Sequence, residues 1–109
     1  MEKISLTARA REVLGRARTA SSGRSADTVY GGHAKVLRQT VLALTAGQSQ
    51  DEHENPGEAT VHVLVGRVRL TTQTDAWEGW TGDLLVVPPA VHALHALEDS
   101  VVLLTVAKR

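Results

Sequence analysis

The sequence predicts an all-β domain behind a single N-terminal helix, and two patterns in the residues lead to that prediction. From Asp27 onward, short β-prone runs alternate with turn residues. The breaks fall at Gly31-Gly32, Ala46-Gly47, Pro56-Gly57, Gly66, Thr74-Asp75, Gly82-Asp83, Pro88-Pro89 and Glu98-Asp99. Strands this short, at this rhythm, belong to a sandwich or barrel rather than to alternating β and α units. Ahead of them, residues 5–18 repeat apolar side chains at helical spacing. The expected division is a helix and linker over residues 1–26 and a barrel over residues 27–109, in a chain long enough for one hydrophobic core but not two.

In the helix, Leu6, Ala10, Val13, Leu14 and Ala17 fall on one face and the arginines occupy the rest. Ser5 is placed to cap it, because its hydroxyl can satisfy a free amide of the first turn. The stripe is modest, so the helix needs a surface to lie on. Residues 21–25, Ser-Ser-Gly-Arg-Ser, read as a flexible connection. The expected strands are Thr28–Tyr30, Lys35–Thr45, Thr60–Val65, Arg67–Thr72, Ala76–Trp80, Leu84–Val87, His92–Leu97 and Val101–Ala107. The long run over residues 35–45 lacks clean alternation, which predicts burial of both its faces: one lines the barrel and the other meets a partner subunit. Arg38 and Gln39 are adjacent there, so at most one enters the interior. An inward Arg38 would select an anionic ligand through a charge-assisted, bidentate pair; an outward one is a rim or interface charge.

Composition narrows the function. There is no Phe, and Tyr30, Trp77 and Trp80 are the only aromatics, so the core is aliphatic and a stacking platform for sugars or bases is not expected. Twelve basic residues balance twelve acidic ones, which gives no global attraction to nucleic acid or anionic membrane. Locally the balance breaks. Lys3, Arg9, Arg11, Arg16 and Arg18 crowd the start, and Asp51, Glu52, Glu54 and Glu58 crowd one loop, either as two solvated faces or as a basic segment docking near an acidic one. There is no cysteine, hence no disulfide and no thiolate ligand. No apolar run is long enough to span a bilayer and no secretory signal opens the chain, so a cytoplasmic protein is expected. Nucleophile elbows, phosphate loops and dinucleotide fingerprints are absent.

Two glycine-anchored segments carry the chemistry. The first has Gly47, then His53 after five intervening residues, Asn55, then Glu58-Ala59 and Gly66; the second has Gly82, Pro88, Ala90 and His92. Together they resemble the two motifs of the cupin family, commonly written G-x5-H-x-H-x3,4-E-x6-G and G-x5-P-x-G-x2-H-x3-N. The resemblance covers roughly residues 35–107. It implies an antiparallel jelly-roll β-barrel, in members often dimeric, whose histidines and glutamate hold Fe, Mn, Ni or Zn in a mixed nitrogen and oxygen shell. Against that pattern His53 keeps the first histidine position and His92 arrives one residue early. Asn55 replaces the second histidine and offers only an amide oxygen. Ala59 stands where the glutamate belongs, and Glu58, one residue short, would serve only if a bulge turned it inward.

The metal candidates are therefore His53, His92 and Glu58, and the ligand-binding candidates Arg38 and Asn55. His62 and His95 fall on the face opposite the ligand positions, and His33 sits in a turn. The expected function is a small-molecule-binding protein with a residual two-histidine site for a divalent transition metal. The alternative is a metal-dependent enzyme of dioxygenase, isomerase or decarboxylase type using His53, His92 and an atypical third ligand. A small molecule and a second copy of the chain are the expected partners, with neither nucleic acid nor membrane. One basic helix in a chain of balanced charge does not make a DNA-reading element.

Overall fold

A computed structural model describes residues 2–53 and 57–108, with Glu52 and His53 described through their backbone. Ser5 Oγ accepts from the Ala8 N–H at 3.2 Å, and helix α1 runs from there over Leu6–Thr19. Arg16 and Arg18 in its last turn complement the negative end of the helix dipole. The surface that α1 needs is the sheet itself: Ala10, Val13, Leu14 and Ala17 pack on Val41, Ala43, Val101 and Leu103. Arg16 adds an ion pair to Asp27 at 2.6 Å, and Arg18 one to Asp99 at 3.0 Å. Among the described residues, no helix is long and apolar enough to cross a membrane.

The strands are β1 (Arg24–Tyr30), β2 (Leu37–Leu44), β3 (Ser49–His53), β4 (Gly57–Val65), β5 (Arg67–Thr71), β6 (Ala76–Trp80), β7 (Leu84–Val87), β8 (His92–Ala96) and β9 (Ser100–Lys108). They form a five-stranded sheet ordered β1-β2-β9-β4-β7 and a four-stranded sheet ordered β3-β8-β5-β6. Every pairing is antiparallel. The sheets face one another across a layer of Val, Leu and Ala from both, the jelly-roll arrangement that the two motifs imply. Each Val or Leu fully buried in that layer contributes roughly 1.5–3 kcal/mol.

Three elements depart from the expectation. Strand β4 begins at Gly57, three residues before the expected Thr60. Residues 24 and 25 are not a flexible connection: they already pair with Leu44 and Ala43 as the start of β1. Strand β3 went unpredicted because Ser-Gln-Asp-Glu-His carries no apolar residue. Its partner β8 makes it a strand, through Ser49–His95 and Gln50–Leu94 pairing.

The two faces of β2 are now assigned. Leu42 and Leu44 join the layer between the sheets, whereas Val41 and Ala43 lie under α1. By alternation Arg38 and Thr40 face the barrel interior with Leu42. The outer face around Val41 and Ala43 thus meets the chain's own helix, where a partner subunit was expected.

The turns gather at two ends. At one, which we call the base, Gly66 joins β4 to β5 at φ +92°, and a Cβ there would stand 2.4 Å from both Asp99 O and Ser100 Oγ. The buried Ser100 hydroxyl donates to Glu98 O at 2.7 Å and accepts from the Arg67 N–H at 3.0 Å. Asp99 accepts from the Ala46 N–H at 2.9 Å and from Arg18 Nε at 3.0 Å, tying helix, β2–β3 turn and β8–β9 turn together. The opposite end, the mouth, carries the starts of β2, β4, β6 and β8 and the ends of β1, β3, β5, β7 and β9.

Candidate functional site at the barrel mouth

His92 opens β8 and, at 5% exposure, shares with Ser100 the distinction of being a buried polar residue among those described. Its Nδ1 lies 2.9 Å from Ala90 O. A carbonyl only accepts, so Nδ1 carries the proton and Nε2 the lone pair in the neutral ring. Metal-ligating histidines adopt this arrangement, with one ring N–H held by a backbone carbonyl.

The backbone of His53 is the register partner of His92. The pairing reaches it through an irregularity. Gln50 pairs with Leu94 and His53 with His92, so three steps on β3 match two on β8. One extra residue at Asp51-Glu52 makes this a bulge. In an unbroken ladder the partner of His92 would be Glu52.

Across the five-stranded sheet, one row of Cα partners runs Arg38, Val106, Ala59, Val87. Val106, Ala59 and Val87 belong to the layer between the sheets, so the whole row faces the interior at the mouth. Glu58 does not join it. It pairs with Ala107 in a ladder unbroken from Gly57 to Val63 and is exposed on the outer face. The bulge that would turn Glu58 inward is therefore missing, and the register does not bring it to His92. Asn55 lies outside the described residues.

Gln50 is a site residue that the sequence reading passed over, because β3 itself was not recognised. With His92, Leu42, Val61, Leu70 and Leu94 it lines an interior space of about 20 Å³. That is room for roughly one water, so an organic ligand has to sit at the mouth and not below it. A groove of about 380 Å³ lies along the β4–β7 edge near this end, with the outward-facing Glu58, Thr60 and Val86 among its walls.

A catalytic or structural zinc-type shell draws on at least three protein donors. Among the described residues, no group of three or more His, Asp or Glu side chains converges, and alanine holds the position of the motif's glutamate. The described donor set therefore falls short of a complete shell.

The remaining histidines stand as expected. His62 is half-buried on the outer face of β4, between Leu84 and Leu103. His95 faces out from the four-stranded sheet, with Ser49 Oγ 2.7 Å from Nδ1 and Thr71 Oγ1 3.1 Å from Nε2. His33 is exposed in the β1–β2 connection.

Charge at the mouth contrasts with charge elsewhere. Arg67 and Arg69 share Glu78 at 2.5 and 3.0 Å, and these two guanidiniums hold its carboxyl below the usual carboxylate range. Arg9 and Arg16 share Asp27, and Arg24 donates to Ser49 O. Half-buried Arg38 has no carboxylate partner among the described residues.

No family model matches this sequence, and no curated protein matches it. Solved structures do. A conserved protein of unknown function from Streptococcus pyogenes is 30% identical, with a TM-score of 0.73 over 83% of this chain and 78% of that one. A cupin superfamily protein from Desulfitobacterium hafniense DCB-2 is 17% identical, with a TM-score of 0.72 and coverage of 79% and 78%. An RmlC-like cupin from Desulfovibrio desulfuricans is 24% identical, with a TM-score of 0.68 and coverage of 77% and 81%.

Proposed function

We propose that this chain, which shares the fold of solved cupin structures, is a small-molecule-binding cupin whose mouth keeps a residual two-histidine metal site. One observation carries the reading. The mouth row that should bring a carboxylate to the metal brings Ala59, while His92 keeps a ligand-type tautomer opposite the backbone of His53. Two imidazoles hold a divalent ion weakly, so bound metal exchanges readily and the mouth serves chiefly for binding.

The test is elemental analysis of the purified protein beside a His53→Ala/His92→Ala double variant, after loading with Fe, Mn, Ni or Zn and dialysis. Sub-stoichiometric metal that the double variant loses is expected. Stoichiometric metal surviving dialysis, with turnover of a substrate that His53→Ala abolishes, would overturn the reading. It would favour the second one, a metal-dependent enzyme of dioxygenase, isomerase or decarboxylase type, for which the tautomer of His92 is the supporting observation.

The homodimer belongs to this proposal too, though not through β2. Leu84 and Val86 on edge strand β7 are 60% and 73% exposed, and an uncovered apolar edge invites pairing with a second chain. Sedimentation of the wild type against Val86→Lys tests this: a dimer turned monomer supports it, and a monomeric wild type removes it.

A further inference from the structure

We propose that the chain carries a second small-molecule site on the outer face of the five-stranded sheet, in the crevice between α1 and β4, and that it takes a free fatty acid of medium length with its carboxylate on Arg11. This site lies apart from the mouth and does not depend on the reading given to it. Widths explain why a crevice exists. Five strands about 4.8 Å apart make a face roughly 19 Å across, whereas a helix with its side chains covers about 10–12 Å. Helix α1 lies on β2 and β9 through Val41, Ala43, Val101 and Leu103, so the face beyond it, over β4 and β7, is left uncovered. At the base end β4 is irregular: Val63 pairs with Val102 and Val65 with Val101, which makes Leu64 an extra residue. Leu64 packs toward the helix, and Val65 remains 40% exposed.

The result is a groove of about 310 Å³. Leu6, Ala10 and Leu14, successive turns of one stripe, form its helix wall, and Leu64 and Val65 form its sheet wall. Its polar side chains are Thr7 and Arg11, four residues apart on the exposed flank of the helix and so neighbours there. Arg11 differs from the other arginines of α1. Arg9 meets Glu12 and Asp27, Arg16 meets Asp27 and Arg18 meets Asp99, whereas Arg11 has no carboxylate partner among the described residues. A guanidinium offers parallel N–H donors that match a carboxylate, and the adjacent hydroxyl adds a further donor. Walls and rim together call for an aliphatic tail behind an anionic head. At a water's share of about 30 Å³ the groove equals roughly ten waters, which sets the tail at about six to eight carbons.

The experiment is an NMR titration of the 109-residue chain with acetate, butyrate, hexanoate and octanoate, and with hexanamide and hexylammonium as neutral and cationic counterparts. Saturable shifts at the Thr7, Leu64 and Val65 amides are expected, with affinity rising roughly twofold to fourfold per methylene until the groove is filled. Hexanoate should bind tenfold or more above hexanamide and hexylammonium. Arg11→Gln, at an exposed position, should remove that preference at an unchanged unfolding midpoint, and Arg11→Lys, which keeps the charge without the fork, should retain part of it. Affinity indifferent to tail length overturns the groove as the seat of the tail. Hexanamide binding as tightly as hexanoate, or a preference that survives Arg11→Gln, overturns the role of Arg11. Shifts confined to Gln50, His92 and Leu94 would put the acid at the mouth, overturning the second site while leaving the mouth reading intact. Absence of shifts from every acid overturns the proposal, and a dimer split by Val65→Lys in sedimentation would then assign the groove to a second copy of the chain.

Discussion

Among the described residues the barrel buries one polar side chain at each end, and they are finished differently. Ser100 at the base is enclosed by backbone: a donor from Arg67, an acceptor at Glu98, and Gly66 pressed against it. His92 at the mouth has its Nδ1 held by Ala90 O. The base uses its polar group to lock turns together. The mouth combines its polar group with an Arg38 that meets no carboxylate among the described residues. On the proposed reading, stability and function separate along the barrel axis, and substitutions at the two ends should report different things.

The largest effect belongs to Gly66. Gly66→Ala places a methyl group 2.4 Å from Asp99 O at φ +92°, adding backbone strain to a clash, and should cost roughly 3 kcal/mol of unfolding free energy in urea. A cost under about 1 kcal/mol would mean that the base is more pliant than its packing implies. Next comes Ser100→Ala, which strands the Arg67 N–H away from water and should cost about 1–3 kcal/mol, with ligand and metal binding unchanged.

Acid should weaken the base next. The Ala46 N–H, then Arg18, hold the Asp99 carboxyl below its ordinary value. A carboxyl with a lowered folded value stabilises the fold above the unfolded pKa of about 3.9, and that contribution disappears as pH falls through the lower folded value. Comparing the wild type with Asp99→Asn in acid titrations should show the loss only in the wild type. Because Asp99 is partly exposed, the effect should be smaller than that of Ser100. The smallest effect on stability belongs to the mouth. Arg38→Gln breaks no ion pair among the described residues and should move the unfolding free energy by less than about 0.5 kcal/mol. A loss of several kcal/mol there would erase the contrast between the ends.

Much of this was legible in the residues. Glycines 47, 66 and 82 at the spacing of the two motifs announced the barrel, and all three adopt positive φ. The stripe from Leu6 to Ala17 announced a helix lying on something. What failed to show is instructive. Strand β3 has no apolar residue, so period-two patterning could not mark it, and with it went Gln50. Alternation alone could not orient Arg38, because α1 buries the outer face of β2 as thoroughly as the barrel buries the inner one. Only the pairing of Arg38 with Val106 decides the matter. The position of Glu58 hinged on whether a bulge fell in β4; the bulge at the mouth fell in β3 instead.

That bulge has a consequence for how such sequences are aligned. The five residues separating Gly47 from His53 include one that contributes nothing to strand length. A homologue lacking Asp51 or Glu52 would keep His53 opposite His92 along a straightened strand, yet a fixed-spacing pattern would score it as having lost the motif. Gap placement in this stretch should follow the ladder with β8 and not the count from the glycine.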